Sequence, residues 1–219
     1  MRLSAELRRN LAYAAFWPFF GLCFYALEWL VPGRVYHVMY HPVDDLIPFC
    51  ELFLIPYLFW FPFMGFAYVY AFFADGEAFR RMMGFTILTY GGGLLMFVLY
   101  PTCQNLRPEV FLRDNVLTRT MAWFYTTDTS TNVCPSLHVC GSLAAAFGLV
   151  DTKRFSTPGR RAIMAVAMTI CLSTVFVKQH SVLDMLWGFG FSGCAWLAVY
   201  GEKTSEFFRF PFLASRSLP

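Results

Sequence analysis

The chain has 219 residues, of which 58% are hydrophobic, 20% aromatic and only 14% charged, with a formal net charge of +3. So low a charge density with so large an apolar share excludes a water-soluble globular domain and a disordered chain, and marks an integral membrane protein. The small positive excess is read as a topology signal and excludes nucleic acid as a partner.

Crossing about 30 Å of hydrocarbon takes roughly 17 to 25 apolar residues. Runs of that kind fall at 11–31, 50–73, 84–101, 136–151, 161–179 and 182–200, so the expected architecture is all-α, a six-transmembrane helix bundle forming one integral-membrane domain over 1–219. The first run follows Arg2, Arg8 and Arg9 and is too long and too aromatic for a cleaved signal peptide, so it is expected to stay as a helix.

The first loop contains His37 and His41, which read as interfacial residues, and HPVDDLIPF at 41–49, whose Asp44 and Asp45 are expected as solvated charges or at the entrance to a site. YLFWFPFMGFAYVY at 57–70 reads as a lipid-facing and interfacial belt, with Pro62 a kink. GGG at 91–93 reads as a close helix contact. The longest connector, about 102–135, is rich in Thr, Asn, Asp and Arg, and the spacing in 108–125 predicts an interfacial helix capping the bundle. Cys23, Cys171 and Cys194 fall inside apolar runs and are expected to pack as small hydrophobes. Cys103 and Cys134 flank the connector and are free either to pair in an oxidising compartment or to stay reduced.

Cationic loops resist translocation. With a cytoplasmic N-terminus, that side gathers Arg2, Arg8, Arg9, Arg80, Arg81, Lys153, Arg154, Arg160, Arg161, Lys203, Arg209 and Arg216, and the other keeps only Arg34, Arg107, Arg113, Arg119 and Lys178. The expectation is a multi-pass protein of the cell membrane with both termini cytoplasmic.

Arg107, Ser136, His138, Lys178, His180 and Asp184 then share the extracytoplasmic face. Asp184 stands four residues after His180, one helical turn deeper on the same face. A carboxylate there can accept a hydrogen bond from one ring nitrogen of His180 and leave the other as a free lone pair, which makes a nucleophile. An unpaired Asp at membrane depth costs a few kcal/mol, which argues for function. Two histidines with Arg107, Lys178 and the Ser136 hydroxyl or amide around them suit a tetrahedral anion. Pro135 and Ser136 also suit the first positions of a helix, whose amides would point at that anion.

PSLH at 135–138 and HSVLD at 180–184 resemble the second and third signatures, P-S-x-H and H-x-x-x-D, of the type 2 phosphatidate phosphatase superfamily. The resemblance implies a metal-independent, cofactor-free lipid phosphatase in which His180 attacks phosphorus to form a phosphohistidine. Asp184 would orient His180, His138 would protonate the leaving oxygen, and Arg107, Ser136 and Lys178 would hold the phosphoryl oxygens. Its partners are the bilayer and a phospholipid or lipid-phosphate substrate; the sequence sets no oligomeric state.

The pattern also departs from the superfamily. Tyr100 occupies the place of the Lys seven residues before Arg107-Pro108, and Ser173-Thr174 replaces a Ser-Arg pair. A cation two residues before the nucleophile, here Lys178, is similar to the sphingomyelin synthase and inositol phosphorylceramide synthase branch, which implies headgroup transfer as the alternative to hydrolysis. Two readings from other classes stay open: a metal-dependent membrane enzyme using His138, His180, Asp184 and Cys134 as ligands, and a non-catalytic transporter.

Overall fold

The computed structural model describes residues 4–29 and 34–201 and is mostly helical. Arg2, Lys203, Arg209 and Arg216, used in reading the orientation, lie outside the described residues, as does the end of the first expected span.

The first span is two helices, α1 (Ala5–Ala14) and α2 (Phe16–Trp29). The break at Ala15 has a local cause. Pro18 has no N–H to give to the carbonyl of Ala14, and its ring crowds that carbonyl. A short helix in the first loop, α3 (Val43–Leu46), leads through a single 3-10 turn into α4 (Leu54–Ala74). Pro62 lies inside α4, which continues past it. The Asp75 carboxylate caps α5 (Gly76–Leu99) by accepting from the amides of Glu77 at 3.1 Å and Ala78 at 3.0 Å, so α4 and α5 join with almost no loop. The connector helix α6 (Val116–Thr127) starts later than the spacing predicts, because Asn115 and Thr118 form a reciprocal cap there. Three more helices follow: α7 (Leu137–Asp151), α8 (Thr157–Phe176) and α9 (Val182–Tyr200).

Among the described residues, five helical segments are long and apolar enough to cross a membrane, the make-up of a multi-pass membrane protein. The expected sixth, α7, has only 15 residues. At 1.5 Å per residue it spans about 22 Å. It is instead the hub of the bundle, in contact with α4, α5, α8 and α9 and buried along most of its length. A helix wrapped by protein does not have to match the thickness of the bilayer.

Lipid is as apolar as a side chain, so such helices gain from close approach rather than from the hydrophobic effect. Small residues on α7 (Ala144, Ala145, Ala146) are fully buried for this reason. Gly188 on α9 allows the closest approach near the site: a Cβ there would lie 2.9 Å from Val139 Cβ and 3.1 Å from the Ser136 carbonyl oxygen. Gly92 and Gly93 likewise meet Phe191 and Leu137, in keeping with the expected close contact. Of the cysteines expected to pack, Cys171 is buried and Cys23 half-buried, but Cys194 is exposed on the outer surface of α9.

At one end of the bundle the cations are tied to helix ends and loops: Arg80 bonds Asn10, Arg81 pairs with Asp151, and Arg154 donates to the Ala74 carbonyl. At the other end the loops are knitted together by a two-stranded parallel ladder of β1 (His37–Val38) and β2 (Thr102–Cys103), with a further bridge from Cys103 to Thr131. Gly188→Val should destabilise the protein by about 1–3 kcal/mol, the usual penalty of overpacking, read as a fall in melting temperature in detergent.

Candidate functional site

His138 lies in the first turn of α7, and Ser136 is the N-cap residue of that helix. Lys178, Gln179 and His180 form the turn between α8 and α9, with Lys178 in the left-handed region at φ 54°. The Ser136 amide donates to the Asp184 carbonyl at 3.0 Å, which locks the start of α7 against α9. The two imidazoles meet edge to face with ring centroids 5.8 Å apart.

Asp184 is fully buried, and its Oδ2 accepts from the Ser181 amide at 2.9 Å and faces His180 Nδ1 at 3.3 Å. A carboxylate only accepts, so this contact suits the tautomer in which Nδ1 carries the proton and Nε2 is the free nitrogen. His180 itself is 9% exposed. His138 sits between two rings of α4, stacked on Tyr57 at 4.6 Å and tilted against Trp60 at 4.5 Å, and its buried Nε2 has no hydrogen-bond partner among the described residues. Tyr57 and Trp60 are three and six residues into α4, so His138 is recessed below the start of that helix.

Both histidines line a cavity of about 440 Å³. Its deep walls are aromatic, including Trp17, Phe20 and Phe24 of α2 and Tyr90 of α5, and its mouth carries Asp128, Asn132 and Gln179. Among the described residues, no lysine or arginine lines it.

The remaining predicted residues are present but directed elsewhere. Arg107 does not face the cavity: it donates to Gln179 Oε1 (3.1 and 2.7 Å) and to the carbonyls of Tyr125, Asp128 and Thr129, and its guanidinium stacks on the Tyr125 ring at 4.7 Å. Burial lowers its pKa from the ordinary guanidinium value, opposed by the Asp128 charge. Lys178, 9% exposed, gives its Nζ to the Asp44 carbonyl at 2.6 Å. Burial pulls the lysine down while the carboxylates of Asp44 and Asp45 oppose it. Ser136 is fully buried, and its hydroxyl has no hydrogen-bond partner among the described residues.

Several neighbours are absent from the sequence expectation. Gln179 bridges Arg107 to Asp128, donating to the Asp128 carboxylate at 3.0 Å. Glu28, a carboxylate inside the first apolar run, accepts from Thr129 at 2.7 Å, Thr131 at 2.8 Å and Asn132, holding the loop that forms the cavity mouth. The cost of a carboxylate inside an apolar run was the signal that could have singled it out. Asp44 is neither a solvated charge nor at the entrance: it is 2% exposed and bound to the start of α9. Tyr57 and Trp60 leave the expected lipid-facing belt for the site, whereas Phe59, Phe66 and Val69 of that belt do face outwards. Cys103 and Cys134 are free thiols. Burial, reinforced by the Asp184 charge, pushes Cys134 up to about 12. His37 stacks on Tyr100 at 4.0 Å. Among the described residues, no group of three or more His, Cys, Asp and Glu is placed to hold a metal ion.

Compared with protein-family models, with curated proteins and with solved structures, the chain matches none.

Burial raises the Asp128 carboxyl above its ordinary value, reinforced by Glu28 and opposed by Arg107 and His180. An acid whose folded pKa exceeds its unfolded one costs stability above the folded value, and that cost vanishes below the unfolded value, ~3.9 for Asp. Asp128→Asn, which can still accept from Gln179, should therefore melt higher than the parent at neutral pH. The difference should close as pH falls through the carboxylate range, followed by melting in detergent.

Proposed function

We propose that the protein is a membrane lipid phosphatase acting on a lipid phosphate through a phosphohistidine, at the extracytoplasmic face of the cell membrane. The observation that carries the reading is that His138 and His180 share one cavity wall, with the buried Asp184 carboxylate behind His180. In the same reading α7 is the sixth crossing of the bundle, and both termini are cytoplasmic, supported by the cations at the end remote from the cavity.

His180 Nε2 attacks phosphorus, forming the N–P bond as the P–O bond to the lipid breaks, and the departing oxygen takes its proton from His138. Asp184 holds the Nδ1 proton of His180 and balances the charge that grows on the ring. His138 then takes a proton from water, which attacks phosphorus, releases phosphate and restores His180. The aromatic depth of the cavity suits an acyl chain and its polar mouth a headgroup.

A second reading, transfer of a phospho-headgroup to a lipid alcohol, is favoured by the charge of the cavity. Arg107 spends its donors on protein carbonyls and Gln179, Lys178 Nζ is directed to the Asp44 carbonyl, and the charged side chain at the mouth is Asp128. Such a wall suits a phosphodiester, which carries less charge than a phosphomonoester.

The test is purified protein in detergent with EDTA, given lipid phosphomonoesters and phosphodiesters with and without a lipid alcohol. Phosphate release that persists in EDTA and falls to background in His180→Ala is the expected result. Asp184→Asn should lose roughly 10²- to 10⁴-fold, the scale of acid–base and orienting contributions. Product formed only with the alcohol would establish the transferase, and unchanged activity in His180→Ala would overturn both readings.

A further inference from the structure

The turn that carries His180 is held from outside its own helix. Asp44 of α3 lies 136 residues before it in the chain, and three of its four polar atoms engage that turn. Its Oδ2 accepts from the Ser181 hydroxyl at 2.6 Å and its Oδ1 from the Val182 amide at 2.8 Å. Its carbonyl oxygen accepts from Lys178 Nζ at 2.6 Å. The residues on both sides of His180 are thus bound to one residue of the first loop. The loop is shaped to supply it: the His41 amide donates back to Asp44 Oδ2 at 2.8 Å, and β1 just upstream is paired with β2.

Asp44 and Asp184 divide the start of α9 between them. Asp184 accepts the Ser181 amide and faces the ring, and Asp44 accepts the Ser181 hydroxyl and the Val182 amide. The Ser181 hydroxyl in turn accepts from the Leu183 amide at 3.2 Å. Without the Asp44 carboxylate, Val182 N–H and Ser181 O–H lose their acceptors, only the backbone carbonyl of Asp44 still holds Lys178, and the turn is free to shift relative to α7.

We propose that Asp44 is a positioning residue for the nucleophile, holding the His180 turn in register with His138 through Ser181, Val182 and Lys178. The proposal rests on His180 being the nucleophile of the reaction above. Asp44 touches neither ring and does not line the cavity, so it acts through geometry and not by contact with substrate.

The test compares the full-length parent, Asp44→Asn and, as a carboxylate control, Asp114→Asn, whose surface partner is Arg119. Two readouts are taken in detergent: kcat and KM on the best lipid of the panel, and ring-nitrogen NMR of labelled histidine, with the His180 and His138 signals assigned by single replacements. Asp44→Asn is expected to lower kcat about 100-fold with KM within about threefold, the cost of a misplaced reacting group. The His180 nitrogens should move towards a tautomer average while His138 stays put, and Asp114→Asn should match the parent in both. Unchanged kcat with unchanged His180 signals overturns the proposal, as does a fall in kcat with unchanged His180 signals. If the parent turns over no lipid, the functional reading has failed, and the NMR comparison alone decides whether Asp44 holds the ring. If Asp44→Asn does not fold, Ser181→Ala, which removes the hydroxyl's bond to Asp44 together with its cap bond from the Leu183 amide, takes its place with the same direction expected for both readouts.

Discussion

Carboxylates drawn from water that must find donors, Asp44 buried and Glu28 half-buried, organise the site end of this protein. An unpaired Asp or Glu at membrane depth costs at least a few kcal/mol. A hydrogen bond to a charged group returns about 1.5–3 kcal/mol. A carboxylate that collects three such bonds can therefore offset its own desolvation, and one that collects none cannot. Asp44 collects three, from His41, Ser181 and Val182, and Glu28 three, from Thr129, Thr131 and Asn132. Each set joins segments distant in the chain, so the need to pair the charge is what brings the loops together.

The short hub helix converts that loop architecture into a cavity. Because α7 is surrounded by protein, its start can lie below the ends of its neighbours, where Tyr57 and Trp60 of α4 enclose His138. The recess continues down the aromatic side of α2 and is roofed by Phe124 and the loop that Glu28 fastens. Glu28 and the cavity wall residues Trp17, Phe20 and Phe24 belong to one helix, so α2 both anchors the mouth and lines the depth.

How much of this the sequence discloses follows from which forces are local. Apolar run length marks every membrane helix, since the bilayer acts on each segment separately, and the pairing of His180 with Asp184 is short-range, although His180 stands in the turn before the Ser181 cap of α9 and not one helical turn along the same face. The break at Ala15 comes from one proline and was equally readable. Other features depend on partners far along the chain. A uniformly apolar α4 gives no period to separate Tyr57, which is buried, from Phe59, which is exposed. Arg107 has the composition of an anion site, but the carbonyls of the connector and Gln179 satisfy it first. Nothing local distinguishes Asp44 from Asp45, although one is bound to α9 and the other to the Tyr40 hydroxyl.

With Arg107 and Lys178 turned into the protein, positive potential at the cavity has to come from the backbone. Two helices begin at the site, and a helix N-terminus carries roughly half a positive charge. They are not equivalent. The start of α9 is already neutralised, because Asp44 and Asp184 both bond its first residues. The start of α7 has no side-chain cap bond, and the hydroxyl of its N-cap residue Ser136 is buried without a partner among the described residues. The uncompensated end therefore belongs to the helix that carries His138, and the compensated end to the helix of His180. An anion drawn to the first while being attacked from the second would bring its charge to amides that no carboxylate has claimed. Under the proposed phosphatase reading the carboxylates would serve to aim His180, and the task of meeting the phosphoryl oxygens would fall to the first turn of α7.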